Sequence, residues 1–312
     1  MKTYHKYIAL AAMAFSFAAC EQEDFTPAVH GDPDAVKINA TIGNLQTRVA
    51  YGTDGTTTFE EDDQIRVVNT NRTGKNKSDA LYQKTGDDWL PAVATNYLVW
   101  DGTGNNLLYA SYPATASYTA FTLPTDQSDA AKLAAADWMT DDYEGAKSNG
   151  EAHFTFEHRL AMVTVKITQW NTEFNDRDQT VTSASIFSKG TQLTAAYDED
   201  GEATITASNA LTGITPQQNA DGTEFTAIVV PIAYTAMDNL MTFTVDGTSL
   251  TVNANNSTLT DGLKAGYHYT FSLEVGKKAA SISSVSVTPW SEKEIEGGVA
   301  EEVETTPEET TE

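Results

Sequence analysis

The sequence predicts an all-β protein built of antiparallel β-sandwiches, with one short helix. Three observations lead there. Apolar and polar residues alternate in short runs, as at Val36, Ile38, Ala40 and Ile42, which is the period of a half-buried strand. Asp-Gly pairs punctuate the runs, at 54–55, 101–102, 200–201, 221–222, 246–247 and 261–262. Such pairs tolerate the positive φ values that tight hairpins demand. Long stretches of strong helix formers are nearly absent, whereas Thr, Ser, Asn, Asp and Gly are abundant. Many short strands with regular turn signals indicate sandwiches.

In chain order, residues 1–19 read as a secretory signal: a short basic start, then an apolar stretch over 7–19. That stretch is too short to span a bilayer of ~30 Å, which needs about 20 residues. Cys20 follows Phe17-Ala18-Ala19 and is the only cysteine. The context resembles a lipobox, in which the cysteine is diacylated and becomes the mature N-terminus. The alternative is an ordinary signal with an incidental cysteine. Residues 20–35 form a linker marked by Pro27, Gly31 and Pro33.

The remaining length suits two domains, 36–150 and 151–290, each large enough for its own core. Strands are expected at 36–42, around Ile65 and Val67, and at 97–100, 107–112, 203–205, 225–230, 241–245 and 267–275. Ser128 is placed to cap a helix over 129–136, with Asp129 near the positive end of its dipole. The boundary falls near Lys147-Ser148-Asn149-Gly150. Beyond it, Phe154, Phe156, His158 and Leu160 share one parity, and Ala161, Val163, Val165 and Ile167 the other. That switch requires a bulge or a break, as where a strand passes from one sheet to the next. The tail 291–312 holds nine glutamates and one lysine. It is expected to be disordered, because it cannot bury enough surface to offset its ordering entropy.

Composition narrows the function. A net charge of -25 argues against nucleic acid, whose phosphates favour Lys and Arg, and against flat contact with anionic membrane. A single cysteine excludes an internal disulfide. His5, His30, His153, His158 and His268 show no metal-ligand spacing, and no nucleophile elbow is present. No catalytic residue, metal or cofactor is therefore expected. The acidic groups at 60–63, 141–142 and 198–200 read as solvated turns, with a weak Ca²⁺ site as the alternative for each. Trp89, Trp100, Trp138, Trp170 and Trp290 are read as core and edge packing. The alternative is a set of exposed platforms for sugars, which would make the chain a surface glycan-binding lipoprotein.

Several segments occur in an order that resembles the fimbrillin-like proteins of the Bacteroidetes, the pilin superfamily behind type V pili. The resemblance runs from about Val36 to Trp290. The first strand is followed by Gly43-Asn-Leu-Gln-Thr47-Arg48-Val49, then by Phe59-Glu-Glu-Asp62-Asp63-Gln-Ile65-Arg-Val67. The latter is similar to the family's Trp-x-x-Gly-Asp-x-Ile-x-Val, with Phe59 and Asp62 replacing the tryptophan and glycine, so its turn chemistry is expected to differ. Tyr109-Ala-Ser-Tyr112-Pro113 and Asp137-Trp-Met139 match in turn. The most specific match runs over 154–165, and Ala227-Ile-Val-Val-Pro231, Gly266-Tyr-His-Tyr269 and Pro289-Trp290 follow in the family's order. Glu21-Gln22-Glu23-Asp24 also resembles the surface-export signal of Bacteroidetes lipoproteins, or is simply an acidic linker.

The resemblance implies two transthyretin-like sandwiches and a non-enzymatic fimbrial role, as stalk, anchor or tip. It implies a lipid anchor in the outer membrane, other pilin subunits as partners, and a host or bacterial surface receptor for an adhesin. It also implies cleavage between Arg48 and Val49, departure of the strand carrying Val36, Ile38, Ala40 and Ile42, and capture of a neighbour's donor strand. Arg48 as an uncut turn arginine is the alternative. Ile282, Val285 and Val287 form a donor candidate, although Ile282 and Val285 differ in parity; the stretch pairs at home or donates.

Overall fold

The computed structural model describes residues 32–43, 58–174, 178–199 and 201–290. The strands up to the middle of the chain are β1 (Lys37–Ile42), β2 (Gln64–Asn69), β3 (Asp79–Thr85), β4 (Asp88–Pro91), β5 (Asn106–Tyr112), β6 (Ala120–Thr122), β7 (Met139–Gly145) and β8 (Glu151–His158). Then come β9 (Ala161–Trp170), β10 (Val181–Lys189), β11 (Gln192–Tyr197), β12 (Ala203–Thr206), β13 (Leu211–Ile214), β14 (Gln217–Gln218) and β15 (Glu224–Val229). β16 (Asn239–Val245), β17 (Thr248–Asn253), β18 (Tyr267–Val275) and β19 (Ala280–Pro289) complete the set. The chain is all-β, as its alternating pattern predicts.

β1, β4, β3, β2, β5, β7 and β8 hydrogen-bond in that order and close into a barrel. Alternate residues of each strand fill it, among them Ile65, Val67, Tyr82, Trp89, Leu108, Phe154 and Phe156. Phe59 lies in this core and meets Trp89, Tyr112 and Phe156 edge-on. Asp62 takes φ 70°, a left-handed conformation that Asp tolerates better than most residues. The turn thus keeps a backbone shape suited to glycine while carrying a carboxylate that accepts from Gln83.

The second core lies between the sheets β13-β10-β16-β17 and β14-β15-β9-β18-β19. The β16–β17 hairpin turns on Asp246-Gly247, both at positive φ, as the Asp-Gly signal requires. A third sheet, β12-β11-β6, ties the halves together. Phe121, Leu123, Leu133 and Trp138 belong to the second core, while residues 151–158 belong to the barrel. Tyr109, Tyr118 and Tyr197 stack in series with ring centroids 4.0 and 4.2 Å apart.

The parity switch is a change of sheet. β8 faces the barrel with Ala152, Phe154 and Phe156; after Arg159 and Leu160, β9 faces the second core with Ala161, Val163, Val165 and Ile167. Four expectations are corrected. Asp129, not Ser128, caps the helix α1 (Ala130–Ala134), its carboxylate accepting from the Lys132 amide at 2.9 Å. A second short helix, α2 (Ser257–Thr260), is present. Residues 97–100 form no strand: all four are buried, and only Val99 bridges, to Ala35. Asp141 and Asp142 lie within β7, not in a turn. Two pairs are also parallel, β1 with β8 and β9 with β18, which is open to strands joined by long connections.

Candidate functional site

β1 is the strand on which the barrel closes. It pairs with β8 along its whole length, from Lys37 opposite Glu151 to Ile42 opposite Phe156. On its other edge it meets β4 at one bridge, Ile38 opposite Trp89. Val36, Ile38 and Ala40 are 0%, 7% and 8% exposed, and Ile42 packs half-buried on the same core. The four candidate residues of the displaced strand therefore share one face, as their spacing predicts. Trp89 Nε1 donates to the Ala40 carbonyl at 3.2 Å. Burial of each large aliphatic side chain contributes about 1.5–3 kcal/mol.

The two ends of β1 differ. Before it, the Leu98 carbonyl accepts from the Val36 amide and the Trp100 amide donates to Asp34, each at 2.9 Å. Asp32 accepts from Lys77 Nζ at 3.0 Å and from the Tyr97 hydroxyl at 2.9 Å, and Asp34 from Lys147 Nζ at 2.6 Å. The Asp34 amide, Lys77 and Tyr97 together hold the Asp32 carboxyl down at about 2. After β1, the Gly43 amide donates to the Phe156 carbonyl at 2.7 Å. Ile42 and Gly43 then line a cleft of about 600 Å³ with Asp141, Asp142, Glu157 and Glu202 among its walls. Burial pushes the Asp141 carboxyl up to about 6, although the Thr155 amide donates to it.

β8 depends on β1. β7 pairs with β8 only at Met139 opposite His158 and Thr140 opposite Glu157. The far end of β8 is pinned. His158 Nδ1 lies 2.8 Å from Asp137 Oδ1, both residues being buried, and the His158 ring stacks on Trp290 at 4.2 Å. Arg159 donates to the hydroxyl and carbonyl of Thr140 and to Glu157. The sequence pattern marks β8 as a strand but carries no sign of this one-sided support.

The donor candidate, Ile282, Val285 and Val287, lies on β19, which pairs antiparallel with β18 at the edge of its sheet. The register shifts at Ser283. That bulge places Ile282 and Val285 against the second core together, which removes the parity conflict seen in the sequence. Val287 is 45% exposed. Cys20, Arg48 and Val49 lie outside the described residues, as does the acidic tail.

The tryptophans pack in the cores and at their edges, as their sequence setting predicts, and not as exposed platforms. Trp89, Trp100, Trp138 and Trp290 are buried, and Trp170 is half-buried against Phe174 and the second core. Among the described residues, no group of His, Cys, Asp or Glu is arranged to hold a metal ion.

Solved structures share this architecture. A candidate cell adhesion protein from Bacteroides uniformis ATCC 8492 is 21% identical, with a TM-score of 0.57 over 82% of this chain and 98% of that one. Another, from Bacteroides ovatus ATCC 8483, is 16% identical, with a TM-score of 0.55 over 82% and 97%. At these identities the likeness is one of fold. No curated protein sequence matches the chain. The model of the fimbrillin-like family matches residues 47–290, well over half of the sequence, and the chain belongs to that family.

Proposed function

We propose that the protein is a structural subunit of a cell-surface fimbria, assembled by strand exchange and not acting as an enzyme. The observation that carries this reading is the position of β1. It closes a barrel, buries its apolar face, and precedes Arg48 in the chain. In this reading Cys20 is diacylated and holds the exported chain at the outer membrane until a protease cuts after Arg48. β1 then departs with the lipid, exposing aliphatic pockets and one edge of β8. Their loss rivals the stability of a domain, about 5–15 kcal/mol, so the open barrel captures a strand from a second subunit by β-augmentation. Repeated head to tail, capture makes a filament. An uncut chain keeps its lipid and acts as an anchor or tip. The burial of four tryptophans removes the support for a glycan-binding alternative.

Arg48→Ala tests the reading. The unsubstituted protein is expected to form a detergent-resistant ladder at the surface, and the variant to give a lipidated monomer in its place. An unchanged ladder from the variant overturns processing at Arg48.

A further inference from the structure

We propose that Tyr109 and Tyr118 form an oxidative cross-linking site, at which a haem peroxidase acting with hydrogen peroxide joins the two rings as dityrosine. The site is independent of strand exchange. It lies in the tyrosine ladder between the barrel and the third sheet.

Tyr109 points out of the barrel, between the inward-facing Leu108 and Ala110 of β5, and lies opposite Asp142 of β7. Tyr118, on the connection from β5 to β6, lays its ring on Tyr109 at 4.0 Å and an interplanar angle of 1°. Its hydroxyl donates to Asp142 Oδ1 at 2.7 Å. Tyr197 of β11 stacks on Tyr118 at 4.2 Å and 18°, and its hydroxyl donates to the Tyr118 carbonyl at 2.7 Å. Tyr267 and Tyr269, also in ring contact, stand 6.5 Å apart and tilted by 47°, without such overlap.

The stack favours loss of an electron from Tyr118. Both neighbouring rings turn a negative face toward it, which stabilises positive charge created there. The Arg159 guanidinium lies 5.3 Å over the Tyr197 ring, so a second positive charge is disfavoured on Tyr197. The oxidised state is therefore shared with Tyr109. Burial, reinforced by Asp142, holds the Tyr118 phenol protonated well above its usual range. The electron thus leaves together with the proton, which passes along the short hydrogen bond to the carboxylate. Asp142 is exposed, lines the cleft, and returns that proton to water.

The same loss from Tyr109 completes the step. Each ring gives up one electron and its phenolic proton. The two phenoxyl radicals form a carbon–carbon bond between positions ortho to their oxygens. The ortho hydrogens move to the oxygens as the rings regain aromaticity. Hydrogen peroxide accepts both electrons and both protons and is reduced to two molecules of water. The product is a covalent clasp across the β5–β6 connection, fixing the barrel to a strand of the third sheet.

The test treats the purified full chain, at high dilution, with a haem peroxidase and hydrogen peroxide, and reads dityrosine fluorescence and peptide masses. The parent is expected to stay a monomer and become fluorescent. The loss of two hydrogens should fall within tryptic peptide 85–132, released by cleavage after Lys84 and Lys132, with no second peptide attached. Tyr109→Phe and Tyr118→Phe, which keep the rings, should each abolish the signal. Tyr112→Phe, in the same peptide, should retain it. Asp142→Asn should slow formation by on the order of 100-fold, and an unchanged rate overturns its role as proton acceptor. Fluorescence that persists in Tyr118→Phe, a link from 85–132 to another peptide, or a folded parent that gains no dityrosine overturns the proposal.

Discussion

β1 and β19 each lie along one long neighbour, β8 and β18, yet they do opposite work for the fold. β1 fills a core: Val36, Ile38 and Ala40 are buried, and the barrel closes only through it. β19 covers an edge: its serines face outward, Ile282 and Val285 are half-buried, and its outer side has no strand partner among the described residues. The difference teaches how unevenly the two cores depend on a single strand: β1 fills the barrel, whereas β19 only borders its sheet.

Substitutions can break this contrast. The largest effect is expected from Ile38→Asp, which puts an unpaired carboxylate among Trp89, Tyr82 and Phe156; it should destabilise the barrel by on the order of 4 kcal/mol. Denaturant unfolding would read this, and equal sensitivity to Val287→Asp on β19 would remove the contrast. Next, Trp290→Ala deletes the ring stacked on His158 and should cost about 3 kcal/mol. Hydrogen exchange should show the loss concentrated in the last residues of β19 and in β8. Val285→Ala, on the half-buried face, should cost about 1 kcal/mol.

Smaller effects test the surroundings of the slot. Asp62→Ala should cost about 1 kcal/mol because its φ of 70° is unfavourable for residues with an ordinary side chain, whereas Asp62→Gly should be nearly neutral. Asp141 gives a pH signature. Its folded value, about 6, lies above the reference of 3.8, so the folded state holds the proton more tightly. Its contribution is present below 3.8 and is lost as pH rises through about 6. Asp141→Asn should therefore raise Tm at pH 7.5 relative to the parent, and the advantage should vanish at pH 4. A constant difference at both pH values would contradict this assignment.

The sequence carries much of the fold and the main outline of the slot. The alternation of Val36, Ile38, Ala40 and Ile42 is legible because one face is buried and the other is not, and the parity switch after His158 truly marks a change of sheet. β7 was hidden, because Met-Thr-Asp-Asp-Tyr-Glu-Gly reads as an acidic turn and is held as a strand by pairing with β5. The face of β19 was hidden by the bulge at Ser283, which no local pattern announces. The ion pairs of Asp32 and Asp34 span 45 and 113 residues of sequence, so only the fold brings those charges together.

N-terminal sequencing of the subunit in surface polymer tests the central claim most directly. The account expects the chain to begin at Val49, with no peptide from residues 32–43 in the washed polymer. Polymer whose subunits begin at a lipidated Cys20 and retain β1 would contradict it.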